Sequence, residues 1–169
     1  MKRLVLVFVV LFGLSLNAQE HEVKLDVLDL AAFKSLDITY QYILNEESAV
    51  GLSVLKNLSD TDNIFNYRED FVITPFYRQY FDFAGMSNVY GEVFFALNSG
   101  RDFKDTDHDG VDDSIKYTDG AFGLVAGKSF VSPRGFVLDF YAGIGRNLFD
   151  AKGAPKIVPR IGINAGFRF

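Results

Sequence analysis

The stretch "RIGINAGFRF" (residues 160–169) alternates between two kinds of side chain without interruption. In an extended strand, successive side chains point to opposite faces. One face therefore carries Ile161, Ile163, Ala165, Phe167 and Phe169, and the other carries Arg160, Gly162, Asn164, Gly166 and Arg168. A strand of a soluble protein turns its aromatic face toward a core. The direction in which this aromatic face points therefore decides the class of protein.

The same period of two recurs in seven earlier stretches. They are VKLDV (23–27), LDITYQY (36–42), VGLSV (50–54), FVITPFYRQYF (71–81), VYGEVFFAL (89–97), FGLVAG (122–127) and FVLDFYAGIG (136–145). In the fourth strand we expect Ile73, Pro75 and Tyr77 to share the apolar face. With the last strand, the pattern predicts eight strands.

The predicted connections differ in length on the two sides of the sheet. Tight turns are indicated by "NEES" (45–48) and "SPRG" (132–135), and a moderately longer one by "DFAGMSN" (82–88). Polar excursions are predicted near residues 57–70, 99–120 and 146–157, and the first connection, "AAFKS" (31–35), is short and apolar. Long loops on one side and short turns on the other predict an up-and-down meander, which eight strands can close into a barrel.

Glycines indicate which face points inward. Seven of them fall on the non-aromatic face of the predicted strands: Gly51, Gly123, Gly127, Gly143, Gly145, Gly162 and Gly166. Glycine on a water-facing strand surface would only weaken the sheet, whereas the crowded interior of a small barrel requires small residues. In a membrane barrel the apolar face contacts lipid and small or polar residues fill the lumen. The sequence therefore predicts an all-β protein, an eight-stranded antiparallel up-and-down transmembrane β-barrel.

The N-terminal segment has the features of an export signal. Lys2 and Arg3 precede an apolar run over 4–16, and Ala18 stands at a suitable cleavage position. We expect a signal peptide over residues 1–18 and an outer-membrane barrel domain over 19–169. The chain has no cysteine, and its net charge of −5 without a basic patch argues against nucleic-acid binding.

Several of these segments resemble a known family. The final "GFRF" (166–169) is similar to the C-terminal signature that the outer-membrane assembly machinery recognises. With "LDITYQYILNEESAVGLSV" (36–54) and "FYRQYF" (76–81), the chain resembles the small OmpA/OmpX-type eight-stranded barrels over about residues 22–169. The resemblance implies the outer membrane of a Gram-negative-type bacterium, contact with its lipid, and recognition by the assembly machinery through the strand that ends at Phe169. The longer OmpA-type proteins continue into a peptidoglycan-binding domain, and we expect no such anchoring here.

The predicted lumen carries charges of both signs. Lys24, Asp26, Asp37 and Arg160 accompany the four residues that we expect to form ion pairs: Arg78, Glu92, Asp139 and Arg168. Such charges are typical either of a path for a small polar solute or of a plug of paired charges. Their near balance favours the plug. Arg78 and Glu92 lie at similar distances from the 82–88 turn, so we expect them to pair across neighbouring strands.

An acidic stretch, "DTDHDGVDDS" (105–114), is the candidate metal site. Alternate oxygen-bearing residues with a glycine at the turn match the first part of a calcium loop. The expected ligands are Asp105, Asp107, Asp109, Asp113 and the backbone carbonyl of Val111. The stretch resembles thrombospondin-type calcium repeats, but it is a single copy, and Lys116 stands where an EF-hand needs its bidentate glutamate. Weak calcium binding and an ordinary acidic loop both remain open, and no other cofactor is expected.

The sequence leaves three functional hypotheses. The first is a non-enzymatic outer-membrane barrel with a structural, adhesion or envelope-integrity role through its extracellular loops. The second is a narrow channel for small polar solutes or ions, and the third is a soluble exported β-barrel that binds an apolar ligand. No enzyme is expected, because neither His21 nor His108 lies on a predicted strand beside a suitable serine.

Overall fold

The computed structural model describes residues 20–58, 69–83, 85–104 and 113–169. Its elements in chain order are β1 (His21–Asp26), the π-helical turn α1 (Asp29–Phe33), β2 (Ser35–Asn45), β3 (Ser48–Asn57), β4 (Glu69–Phe83), β5 (Met86–Lys104), β6 (Asp113–Val131), β7 (Phe136–Asn147) and β8 (Ile157–Arg168). Each strand pairs antiparallel with its sequence neighbours, and β1 also pairs with β8. The sheet closes on itself, which confirms the predicted eight-stranded up-and-down barrel.

The two ends of the barrel differ in their connections. At one end the backbones of His21 and Phe169 exchange two hydrogen bonds, of 3.1 and 2.8 Å. The short connections after β2, β4 and β6 lie at this end, which we call the turn end. The long connections after β3, β5 and β7 lie at the opposite, loop end. Residues 59–68 of the first and all of the second (105–112) lie outside the described residues, as does the predicted signal peptide.

The outward face of the barrel is apolar. Large side chains such as Ile144, Leu124 and Ile161 are 57–59% exposed, while Lys24 and Gln41 are fully buried in the lumen. A water-soluble barrel has the opposite arrangement, because apolar surface is stabilised when it leaves water. The barrel is therefore built to face lipid with its outer surface. No helical segment of the described chain has the length and hydropathy that a membrane crossing requires.

The predicted inward glycines receive aromatic rings from neighbouring strands. A Cβ atom at Gly123 would lie 2.5 Å from Cζ of Phe94, and one at Gly145 would lie 2.8 Å from the same atom. A Cβ atom at Gly127 would likewise lie 2.5 Å from Cζ of Tyr90. Both rings are about 1% exposed. Large side chains on β5 thus fill space that glycines on β6 and β7 leave free, as close packing requires.

The predicted loop over 99–120 is largely strand, which corrects the sequence interpretation. The β5–β6 ladder continues to the pair Lys104 and Asp113, whereas β4 last pairs with β5 at Gly100. The sequence past Gly100 mixes charged residues such as Lys104 and Lys116 with apolar ones such as Phe103 and Ile115. An antiparallel ribbon outside a membrane has no apolar face to bury, so the alternation that marks the other strands is missing there.

The first connection also differs from the expected simple turn. β1 has only 6 residues, and α1 follows it and is capped by Lys34, whose φ is 52°. Asp26 holds this junction: its Oδ1 accepts hydrogen bonds from the backbone N–H groups of Leu28 (2.9 Å), Asp29 (3.0 Å) and Ile163 (3.3 Å). Beyond Asp26, the wall of the barrel between β8 and β2 is therefore made by α1 and not by a strand.

Candidate functional site

The middle of the lumen holds a continuous network of ion pairs. Neighbouring strands contribute its members because inward positions recur at every second residue. The cations are Lys24, Arg78, Arg160 and Arg168, and the carboxylates are Glu22, Glu92 and Asp139. Side chains from β1, β4, β5, β7 and β8 thereby meet across the barrel.

Arg78 lies at the centre of this network. Its Nε and Nη2 donate to Oε2 of Glu92 at 3.1 and 2.9 Å, and its Nη1 donates to Oδ2 of Asp139 at 2.9 Å. The guanidinium also lies 3.7 Å from the ring centroid of Tyr90. The side chain is 3% exposed. Carboxylates and a ring face thus replace the water that this cation gives up on burial.

Lys24 is the second centre of the network. Its ammonium donates to Oε2 of Glu22 (2.9 Å), Oε1 of Gln41 (3.0 Å) and Oδ2 of Asp139 (2.8 Å). An ammonium group has three protons, so this one is fully used. Asp139 Oδ2 accepts from both Lys24 and Arg78, and this shared atom joins the two centres.

The network ends at two less buried arginines. Arg168 pairs with Oε1 of Glu22 at 2.6 Å toward the turn end. Arg160 pairs with Oε1 of Glu92 at 3.3 Å on the other side and lies over the ring of Phe94 at 5.0 Å. The paired charges and the buried rings occupy the central lumen together. The four cations and three carboxylates of the network are all paired, so the central lumen presents charges of both signs without a large excess of either.

The sequence predicts lumen ion pairs among four residues, and the structure brings three of them together. It brings Arg78, Glu92 and Asp139 into direct contact, and it places Arg168 on Glu22 instead of on any of those three. The sequence interpretation does not include Glu22, because the predicted first strand begins at Val23, two residues after the observed start of β1 at His21. The alternation of Glu22, Lys24 and Asp26 in "HEVKLD" is the signal that would have found it.

The candidate calcium ligands Asp105, Asp107, Asp109 and Val111 lie outside the described residues. The fifth, Asp113, is the first residue of β6. Within the described chain, no group of three or more acidic, histidine or cysteine side chains could hold a metal ion. Calcium binding therefore stays a prediction.

The histidine of the described chain lies away from the lumen network. Nδ1 of His21 is 2.7 Å from Oη of Tyr40, and its ring is stacked near Phe169 with centroids 5.9 Å apart. Tyr40 is an outward residue of β2. His108 lies outside the described residues. The expectation that the protein is not an enzyme stays a prediction.

Comparison with known proteins bears on the fold. No protein-family model and no curated protein matches the chain. The backbone structure of the Yersinia pestis outer membrane protein Ail in a phospholipid bilayer nanodisc is 18% identical, with a TM-score of 0.39, over 89% of this chain and 99% of that one. The crystal structure of the N-terminal beta-barrel domain of Pseudomonas aeruginosa OprF is 12% identical, with a TM-score of 0.59, over 88% of this chain and 95% of that one. The chain therefore has the fold of the OprF barrel domain, and the OmpA/OmpX-type barrel predicted from the sequence is confirmed as a fold.

Proposed function

We propose that the protein is an outer-membrane barrel with a sealed lumen, which contacts other molecules through a β-ribbon outside the cell. The apolar outer surface supports the membrane placement, because so much exposed hydrocarbon is stable only against lipid. Closed antiparallel barrels of eight strands are typical of Gram-negative outer membranes. The turn end then faces the periplasm, and the loop end faces the medium.

The observation that carries the proposal is the length of the β5–β6 hairpin. Four consecutive pairs, from Arg101 and Lys116 to Lys104 and Asp113, continue past the last pair that β4 makes with β5. On the other side, β7 last pairs with β6 at Ala121. We call residues 101–104 and 113–118 the ribbon. Within the described chain, neither of its edges pairs with another strand.

Hydrogen bonds join the ribbon and the residues next to it to neighbouring parts of the barrel. Nε of Arg101 donates to Oδ2 of Asp70 at 2.9 Å, which ties β5 to the start of β4. On the β6 side, Asp119 accepts backbone hydrogen bonds from Phe149 (3.0 Å) and Ala151 (2.9 Å) in the β7–β8 loop. The strands of the ribbon are therefore joined, at the rim of the barrel, to β4 on one side and to the β7–β8 loop on the other. An exposed strand edge offers a row of N–H and C=O groups to which an extended segment of another protein can add as a further strand.

Truncation of the ribbon tests this function. Arg101 and Lys116 are direct partners, so residues 102–115 can be replaced by an Asn-Gly turn that keeps the ladder below it. Cells of a Gram-negative host that display the protein should settle from suspension and adhere to protein-coated glass, and cells with the truncated form should not. Lys152→Ala, at an exposed position of the β7–β8 loop, is the control. Equal adherence of cells that carry the truncated protein and cells that carry the full-length protein, at equal surface level, would refute the proposed contact role.

The alternative function, a narrow channel for small polar solutes, has a separate test. The paired charges of the central lumen argue against conduction, because an entering ion would have to replace partners that already satisfy each charge. We expect the purified protein to give no steady single-channel current in a planar bilayer, under conditions in which a general porin conducts. Stable current steps that depend on Arg78 or Glu92 would favour the channel.

A further inference from the structure

A cavity of about 510 Å³ lies in the half of the lumen nearest the loop end. Its volume falls within the range of about 300–1,000 Å³ that is usual for small-molecule sites. Most of its wall is apolar and includes Leu28, Leu55, Val72 and Val158. Apolar walls of this size are suited to a hydrocarbon group, whose burial there releases water from both surfaces.

The wall of the barrel is incomplete beside this cavity. Val158 and Arg160 line the cavity from the inward face of β8, but the outward residues Pro159 and Ile161 line it as well. The β1–β8 ladder stops at the pair Asp26 and Asn164, so the loop-end half of β8 lies beside α1 without a strand between them. The hydrogen-bonded wall of the barrel is therefore interrupted beside the cavity.

A buried carboxyl group faces this cavity. Asp29 of α1 lines it and is 6% exposed. Its backbone N–H donates to Asp26, but within the described chain its own carboxyl group has no hydrogen-bond partner. Among the described residues, Asp37 adds a second carboxyl group to the lining, and the guanidinium of Arg160 lies there too. A buried carboxyl group without a partner is costly, and a bound hydrogen-bond donor of positive charge would remove that cost.

We propose that the cavity binds an amine-bearing, single-chain amphiphile, with its amine at Asp29 and its hydrocarbon chain along Leu55 and Val72. The gap between β8 and α1 gives this ligand a route from the outer leaflet. This inference depends on the membrane placement of the barrel and is independent of the ribbon, so the two proposals fail separately.

Dodecylamine is the probe for this site. It is titrated into the refolded protein in phosphatidylcholine nanodiscs, and the methyl resonances of Leu28, Leu55, Val72 and Val158 are followed by NMR. These resonances should shift saturably. Dodecanol and dodecanoate should bind about tenfold more weakly or worse, because they lack the charged donor. Asp29→Asn should weaken dodecylamine binding by about tenfold and leave dodecanol binding unchanged.

Filling the cavity gives an independent test. Leu55→Trp should abolish the shifts, with Ala96→Leu as the substitute if that variant does not fold. Leu124→Trp, on the outward face, should leave them intact. Shifts confined to outward methyl groups, equal affinity for the three probes, or full binding by Asp29→Asn would each overturn the proposed site.

The source of the amine is tested in nanodiscs that contain phosphatidylethanolamine. Competition between this lipid and dodecylamine would support entry from the bilayer between β8 and α1. Unchanged dodecylamine affinity would contradict that route and assign the site to amines from the medium.

Discussion

Arg78 and Glu92 face each other on neighbouring strands of the barrel, and two nitrogens of the guanidinium share one carboxylate oxygen. The Nη2–Oε2 distance is 2.9 Å and the Nε–Oε2 distance is 3.1 Å. They are direct partners in the β4–β5 ladder. Both side chains are 3% exposed, so water contributes little to their solvation. Each therefore depends on the other, and on Asp139 or Arg160, for compensation of its charge.

Double-mutant analysis tests this dependence. Glu92→Gln removes the carboxylate that pairs with both Arg78 and Arg160. We expect this change to destabilise the barrel by about 3–5 kcal/mol. Arg78→Met should also destabilise it. The double variant should cost at least about 1 kcal/mol less than the sum of the single changes, because each single change leaves an uncompensated charge. Reversible urea unfolding in lipid vesicles provides the measurement, and strictly additive values would contradict the pairing.

Gly123 provides a test of the lumen packing. Alanine there would bring its Cβ within 2.5 Å of Cζ of Phe94 and against the backbone of β7. Because neither neighbour can move freely, Gly123→Ala should destabilise the barrel by about 1–3 kcal/mol. Gly91 is a matched control on the outward face of β5, where the nearest atom is 3.6 Å away. Gly91→Ala should change stability by less than about 0.5 kcal/mol, and a loss equal to that of Gly123→Ala would refute the assigned faces.

The sequence was sufficient to predict the fold and the direction of each face. Period-two alternation and inward glycines identified the strands, and the short 82–88 turn fixed the register that places Arg78 opposite Glu92. These are local signals, because a hairpin brings residues together that are close in sequence. Lys24 and Asp139 are 115 residues apart, and their contact depends on how the barrel closes. No local pattern contains that register.

Two features departed from the local pattern for physical reasons. In the ribbon, charged residues such as Lys104 and Lys116 stand among apolar ones such as Phe103 and Ile115, so the alternation that marks a membrane strand is lost. At α1, Asp26 accepts the N–H groups of Leu28 and Asp29 and ends β1 early. The cavity beside Asp29 follows from that ending. The cavity is lined by α1, β2 and five further strands, whose residues are far apart in the sequence. Local sequence patterns therefore could not predict it.

Calcium binding by the acidic stretch remains a prediction from the sequence. Asp105, Asp107 and Asp109 repel one another without a cation, and a calcium ion would draw their oxygens to about 2.3–2.6 Å. Without a bidentate glutamate we expect an affinity on the order of 10⁻⁴–10⁻³ M, as in extracellular modules. Calorimetry on the refolded protein should show calcium-dependent heat that Asp107→Ala reduces. Absence of that heat at millimolar calcium, or equal heat from the variant, would leave an acidic loop without a metal.

The central claim is that the apolar face of the barrel contacts lipid while the charged face is sealed inside it. Because the chain has no cysteine, single cysteines along β6 can carry a spin label without background. Phe122 and Leu124 point outward, and Ala121 and Val125 point into the lumen. In lipid nanodiscs, labels at Phe122 and Leu124 should collide readily with oxygen and poorly with a water-soluble nickel chelate. Labels at Ala121 and Val125 should be poorly accessible to both reagents. Ready collision of the nickel chelate with labels at Phe122 and Leu124, or no alternation along β6, would contradict the account.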